Sequence, residues 1–365
     1  MKKVLYGTTA LVAAGAMAAV PAAAEEGVTL GLGGYYNAFM GLGGFDEASN
    51  EPRDFGFGGF FADGEVHFKG KTTLDNGITF GVQIELEAFQ SGDQIDENYA
   101  FIEGSFGRAV IGGENAAAYM MAYGAPNVGV PLNSGWITVF IAPPPGSTTG
   151  FRTPALSTYV DLQNDTHGIT YYSPRFSGFQ IAGSWFPTPT PSGEGRNSPV
   201  FADENTELNN VLSIGANFVE TFGDFDVALS GGFNWGQAAD FPPGVDDPTQ
   251  YRGGLVLGYA GFSVGGSVAV EDSDFATDGT AYDVGASYST GPWAVGVTWF
   301  ASEVEGASGI GFGSEDELAA LEVGVSYAVG PGITASLSGI WAEWEEESGT
   351  DQSGIVGVVG MKIGF

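Results

Sequence analysis

No cysteine occurs anywhere in the 365 residues, so disulfide frameworks, zinc-thiolate sites and cysteine nucleophiles are excluded. Positive charge is nearly as scarce, with 11 Lys and Arg against 44 Asp and Glu and a net charge of −33. A chain with that field and no basic stripe excludes nucleic acid as a partner. Charged residues of both signs make up only 15% and leucine is sparse, which is not the balance of a soluble enzyme. Beyond residue 24 there is no uncharged apolar run of about 18 residues, so no helix is expected to span a bilayer.

What is abundant is glycine, 60 residues or about 16% against a usual level near 7%. Aromatics reach 13%, and with Val, Ser and Thr they favour strands over helices. The N-terminus has Met1, Lys2 and Lys3, a small and apolar stretch from Val4 to Val20, then Pro21 and Ala22, Ala23, Ala24. A basic start, a short apolar core and an Ala-x-Ala site are the three parts of a secretory signal, so residues 1–24 are expected to be removed and the mature chain to begin at Glu25. Losing Lys2 and Lys3 leaves 9 of the 11 basic residues against 44 acids, a net charge of −35.

From Ile78 to Ala88, Ile78, Phe80, Val82, Ile84, Leu86 and Ala88 alternate with Thr79, Gly81, Gln83, Glu85 and Glu87. Only a strand sends alternate side chains to opposite faces. Phe225 to Trp235, Phe262 to Glu271 and Trp293 to Trp299 repeat the period. Tight turns are read at Asp75-Asn76-Gly77, Phe106-Gly107-Arg108, Phe222-Gly223-Asp224, Gly291-Pro292 and Gly330-Pro331-Gly332. The other connections are long and acidic: Gly41 to Asp54, Thr188 to Glu207, Gly236 to Gln250, Glu303 to Asp316 and Glu345 to Ser353. About sixteen strands of roughly ten residues, short turns at one end and long loops at the other, predict an all-β, transmembrane antiparallel β-barrel over residues 25–365. Trp293 and Trp299 on one face, with Val295 and Val297 between them, fit two interfacial girdles around an apolar band. A soluble β-sandwich has the same alternation with the apolar face turned inward, so the signal segment and the asymmetric loops decide for the barrel.

Enzyme signatures do not survive this map. Gly261-Phe262-Ser263-Val264-Gly265 matches G-x-S-x-G but lies in an alternating strand with no helix after it. The glycine groups Gly31, Gly33, Gly34 and Gly56, Gly58, Gly59 lack the Lys and Ser/Thr of a phosphate loop. His67 and His167 are the only histidines, and with no cysteine they are not expected to make a zinc site. No catalytic residue or cofactor is expected. The one metal candidate is Ca²⁺ at an acidic loop such as Glu271, Asp272, Asp274, where divalent ions could also bridge lipopolysaccharide.

Three stretches carry a family resemblance: Leu74 through Phe80; Asp96 to Tyr99 through Gly104-Ser105-Phe106-Gly107-Arg108; and Ile169 to Tyr172 through Ser173-Pro174-Arg175-Phe176-Ser177-Gly178-Phe179. The last strand, Ile355, Gly357, Val359, Met361 and Ile363, stops on Phe365, which is similar to the outer-membrane assembly signal of porins. The chain resembles the general porins of alphaproteobacteria, and the layout is similar over essentially the whole mature length. The resemblance implies an outer-membrane homotrimer in lipid and lipopolysaccharide. Each sixteen-stranded barrel would have a long third loop folded into its lumen, and each would pass small hydrophilic solutes and ions passively.

The matching loop here is Glu114 to about Asp165, mostly uncharged, with Ala116 to Ala118, Met120, Met121 and Pro143 to Pro145. Constriction residues are expected to be Glu114, Arg152, Asp161 and Asp165 on the loop and Lys69, Glu85 and Arg108 on the wall. If the apolar face meets lipid, the wall also presents Glu65, His67, Gln83, Glu87, Glu103, Asp226, Asn234, Asp283 and Glu322 to the lumen. That lining is acidic and implies cation preference. The family sets a basic cluster against the loop's acids, whereas here wall cations are few, Arg175 and Arg252 being undecided, and no strong transverse field is expected. Two other readings stand beside this one. A substrate-selective channel would need an aromatic track, for which Phe60, Phe300 and Tyr171 are candidates. A plugged barrel acting as an adhesin or structural protein would need a separate plug.

Overall fold

The computed structural model describes residues 27–46, 58–89, 95–141, 154–163, 165–188, 208–239, 246–273, 278–305, 315–346 and 351–365. The signal segment 1–24, Arg152 and Asp274 lie outside them. The strands are β1 Thr29–Asp46, β2 Gly58–Thr73, β3 Thr79–Glu87, β4 Ile95–Gly104, β5 Gly107–Gly113, β6 His167–Tyr172, β7 Phe179–Phe186 and β8 Leu208–Phe222. They continue as β9 Phe225–Ala238, β10 Thr249–Tyr259, β11 Phe262–Asp272, β12 Asp278–Thr290, β13 Trp293–Glu305, β14 Glu315–Gly330, β15 Ile333–Glu346 and β16 Gln352–Gly364. Each pairs antiparallel with its neighbour in sequence, and β1 pairs with β16, so the sixteen strands form a closed barrel. Closure leaves no edge whose N–H and C=O groups lack partners. The seam extends to the last residue, where the Gly34 N–H donates to the Phe365 carbonyl (2.9 Å) and the Phe365 N–H to the Gly34 carbonyl (3.1 Å).

The two faces of the wall differ as alternation requires. Leu30 and Phe60 are each 87% exposed, and Phe80, Val82, Ile84, Leu229, Val264, Val284 and Ile355 share their apolar face. Glu85, Asn234, Asp283, Thr298 and Glu322 on the opposite face are buried. Near the short turns the apolar face carries a belt of paired rings, Phe225 with Tyr259, Phe262 with Tyr288 and Trp293 with Tyr327, at 4.4 to 4.6 Å between centroids. Trp299 stacks on Trp341 further along. Among the described residues no helix is long and apolar enough to cross a membrane; the two helices, α1 Ala117–Met120 and α2 Ile137–Phe140, are single turns.

Some boundaries differ from the sequence reading. β1 runs to Asp46, through glycines taken for loop, because Gly41 and Gly43 face Val358 and Val356 in register and a Cβ at Gly41 would meet Phe140 and Val356 at 3.2 Å. The turn near Phe106 is Ser105-Phe106, with Gly107 (φ 110°) and Arg108 already in β5. Unforeseen short turns fall at Ala260-Gly261 and at Ser173 to Gly178.

Candidate functional site

The segment between β5 and β6 meets some of its backbone groups with its own side chains, such as Ser134 donating to the Pro131 carbonyl (3.2 Å) and Ser157 to the Asn133 carbonyl (2.9 Å), and the others need partners. The polar face of the wall supplies them in sequence order around the barrel. The Ala117 N–H donates to Ser184 of β7 (3.0 Å), the Ala118 N–H to Ser213 of β8 (2.9 Å) and the Tyr123 N–H to Ser230 of β9 (2.9 Å). Next, the Ala125 N–H donates to Asp283 of β12 (2.6 Å), Thr298 of β13 donates to the Pro126 carbonyl (2.8 Å), and the Val130 N–H donates to Glu322 of β14 (3.2 Å). Lys362 of β16 donates to the Gly129 carbonyl (2.8 Å). The far end is apolar: Trp136 and Phe140 pack edge-on against Phe39 of β1 and Phe61 of β2 at 5.3 to 6.4 Å.

The segment then returns along the same wall. Ser302 of β13 donates to the Ala155 carbonyl (2.9 Å), Thr158 to Asp283 (2.5 Å) and Asn234 of β9 to the Val160 carbonyl (3.5 Å). Arg252 of β10 clasps both passes, donating to the Thr158 carbonyl (2.9 Å) and the Tyr123 carbonyl (3.2 Å) with its guanidinium 4.6 Å from the Tyr159 ring centroid. Gly215 and Gly254 permit the close approach, since a Cβ on either would strike the Ala117 or Tyr123 backbone.

Several residues expected to act as free wall charge are therefore engaged in holding this segment. Asp283 and Glu322 accept backbone N–H groups, Asn234 bridges Val160 and Gln250 (2.8 Å), and Arg252 is a clasp. Asp161 accepts the Gln163 N–H (3.4 Å) within the segment's own turn, and Asp165 is buried at φ 47°. Asp226 holds Thr221 (2.8 Å) near a short turn. Of the expected aromatic track, Phe60 is on the apolar face, and so is Tyr171, whose hydroxyl donates to the Phe106 carbonyl. Phe300 is on the polar face but fully buried in the cluster formed with Leu132, Ile137 and Ile141 of the segment. Alternation also parts the calcium candidates: Glu271 is buried and accepts from Gln250 (3.0 Å), while its neighbour Asp272 is exposed.

The wall from β2 to β5 is different. Glu65, His67, Lys69, Gln83, Glu85, Glu87, Glu103 and Arg108 all occupy its polar face, brought into register by β2–β3 and β4–β5 pairing. Tyr35 donates to Glu65 (2.6 Å), Gln83 donates to Glu85, and the Arg108 guanidinium lies 4.5 Å from the Phe101 centroid. Beside this wall a cavity of about 630 Å³ opens toward the short turns, lined by Glu103, Arg108, Glu114, Met120, Tyr123, Tyr172, Arg175, Gln180 and Asn217 among others. Glu114 is 4% exposed and its Oε2 has no hydrogen-bond partner. Burial pushes its carboxyl up to about 7, a shift the nearby Arg108 and Tyr172 only partly oppose. Arg175 is fixed in the cavity wall by donating to the Gly178 carbonyl (2.6 Å), Gln180 (2.8 Å) and Asn217 (2.8 Å). Asn217 and Tyr172 were not anticipated from sequence; their placement on the polar face of β8 and β6 was readable from alternation, their neighbours were not.

These features agree with the comparisons. Solved barrels share the fold at low identity: the trimer form of OmpT from Vibrio cholerae matches at 13% identity and a TM-score of 0.60, covering 93% of this chain and 99% of that one. A porin structure refined at 1.8 Å matches at 19% and 0.59, covering 93% and 100%. The anion-selective porin from Comamonas acidovorans matches at 14% and 0.56. No curated protein matches the chain in sequence. The family model described as Gram-negative porin matches residues 7–339, nearly the whole barrel, and the chain belongs to that family.

Proposed function

We propose that this protein is a passive, water-filled diffusion channel of the outer membrane, with the apolar face in lipid and the polar face lining the lumen. In this reading the described parts of the Glu114 to Asp165 segment, 114–141 and 154–163, lie inside the barrel and narrow it. The observation that carries the proposal is the run of wall-to-segment hydrogen bonds from β7 around to β16, which leaves the β2–β5 wall and the 630 Å³ cavity as the open path. Motifs such as Gly104 through Arg108 and Tyr172 through Phe179 support a place among the alphaproteobacterial general porins. The OmpT relative, described as a trimer, supports a homotrimer.

The open wall carries Glu65, Glu85, Glu87 and Glu103 against Lys69 and Arg108, and a lumen ringed by carboxylates favours cations. The Comamonas acidovorans porin is anion-selective on a similar barrel, so selectivity follows the lining and not the fold. The proposed channel is no enzyme, and Phe365, bonded across the seam, is its assembly signal. The test is single-channel conductance of the purified protein in a planar bilayer with a salt gradient. Large steps closing in threes with a cation-favouring reversal potential are expected. An anion-favouring potential overturns the selectivity, and folded protein without steps overturns the channel.

A further inference from the structure

We propose that Glu65, His67 and Glu85 form a site for a divalent transition-metal ion on the polar wall. The site rests on strand geometry: Glu65 and His67 are two apart on the same face of β2, and Glu85 of β3 stands directly across from His67. The histidine that looked isolated in sequence thus meets two carboxylates. His67 Nε2 lies 2.7 Å from Glu65 Oε2 and 3.1 Å from Glu85 Oε2, and one ligand atom from each residue falls within 4.8 Å of the others.

Each carboxylate divides its oxygens in the same way. Glu65 Oε1 accepts from the Tyr35 hydroxyl (2.6 Å) and Glu85 Oε1 accepts from Gln83, so both present Oε2 to the imidazole. The Tyr35 ring also packs edge-on against His67, 6.2 Å between centroids, and so fixes its plane. A neutral donor behind each ligand is the arrangement that orients metal ligands. Nε2 carries at most one proton, and one N–H points along its axis to a single acceptor, whereas a cation between the three atoms satisfies both carboxylates. With Zn–N and Zn–O bonds of about 2.0–2.2 Å, tetrahedral ligand atoms stand about 3.3 Å apart, so the 2.7 Å and 3.1 Å distances at His67 need to open by about 0.6 and about 0.2 Å. Two carboxylates and a neutral imidazole match a double positive charge, and the imidazole selects Zn²⁺, Cu²⁺ or Ni²⁺ over the oxygen-seeking Ca²⁺ and Mg²⁺. The three protein ligands leave a fourth position for water.

The existence of the site does not depend on conduction, but its consequence does rest on the channel reading: a bound ion would reduce current through the β2–β5 path. The test titrates the folded, detergent-purified full chain with ZnCl₂ and separately with CaCl₂ by calorimetry. About one Zn²⁺ per chain is expected, with affinity reduced about tenfold in Tyr35→Phe and by more in His67→Gln, while Ca²⁺ affinity is unchanged in both. Glu85→Gln, which keeps the side-chain shape, supplies the same readout should His67→Gln fail to fold. Zn²⁺ binding that His67→Gln leaves intact, or that falls in parallel with Ca²⁺ binding, overturns the proposal. In the bilayer, saturating Zn²⁺ should lower the conductance of the native chain and not of His67→Gln. Conducting channels with a featureless Zn²⁺ titration sink the site and spare the channel. Stoichiometric Zn²⁺ binding by a protein that never conducts does the reverse.

Discussion

Replacing Asp283 by alanine removes an acceptor that serves both passes of the segment between β5 and β6. Its carboxylate accepts the Ala125 N–H at 2.6 Å, the Thr158 hydroxyl at 2.5 Å and the Ser267 hydroxyl. The two hydroxyls also bond to each other at 2.9 Å and can keep that bond. The Ala125 N–H loses a close charged acceptor, and weakening such a buried bond costs about 1–3 kcal/mol. Adding about 1 kcal/mol for the weakened hydroxyl pair gives about 3 kcal/mol, or roughly a hundredfold rise in the undocked-to-docked ratio. None of this touches the strand ladder, so the barrel should still fold and keep its strand content by circular dichroism. Single-channel recording should instead show larger and noisier steps in Asp283→Ala. Asp283→Asn, which keeps one oxygen for the Ala125 N–H, should fall between. Native conductance and native noise in a folded Asp283→Ala barrel would refute the claim that this side chain holds the segment in place.

A Cβ at Gly254 would strike the Tyr123 carbonyl, so Gly254→Val should widen the steps as Asp283→Ala does while strand content is kept; unchanged step size counts against the packing described. The Glu114 carboxyl is raised from the usual 4.5 to about 7, so its folded form favours the proton. It therefore stabilises the fold most below about pH 4.5, and that contribution is lost as pH rises through about 7. Over the same range its negative charge appears, so the reversal potential should shift toward cations between about pH 6 and 8, and Glu114→Gln should lack that step. Arg108→Gln removes a cation from the cavity and should strengthen cation preference; a shift toward anions means that Arg108 does not face the path. Deleting Phe365 takes away both backbone bonds to Gly34, and the yield of assembled barrel in cells should fall while refolded protein keeps its strand content by circular dichroism.

The wall was legible in the sequence because alternation is a local property. Phe80, Val82 and Ile84 exposed with Glu85 buried is the pattern that Ile78 to Ala88 spells out. What was hidden depends on register and on contacts far apart in the chain. Gly41 and Gly43 read as loop, yet they are strand residues made small by Phe140 and Val356. His67 and Glu85 are eighteen positions apart, and nothing short of the β2–β3 register joins them. Arg252 has a flanking pattern like that of any inward strand residue, and its use as a clasp depends on Thr158 and Tyr123, 94 and 129 residues away.

That distinction bears on where selectivity resides. Counting the inward acids from sequence treats Glu85, Asp283 and Glu322 as equal contributors to a lumen charge. They are not equivalent, because a carboxylate that accepts backbone N–H groups has its charge met by fixed dipoles and is shielded from a passing ion by the segment lying over it. Asp283 and Glu322 are in that position, while on the β2–β5 wall the described parts of the segment touch β2 through Trp136 and Phe140 at Phe61 and β4 through Asn115 at Glu97 (2.7 Å), and Glu65, Glu87 and Glu103 stay partly exposed. A charge change of the same size should thus alter permeation at Glu103 and alter segment docking at Asp283. In the proposed channel, therefore, the net charge of −33 is a poor guide to selectivity, and the partly exposed acids of the β2–β5 wall are the ones whose substitution should change it.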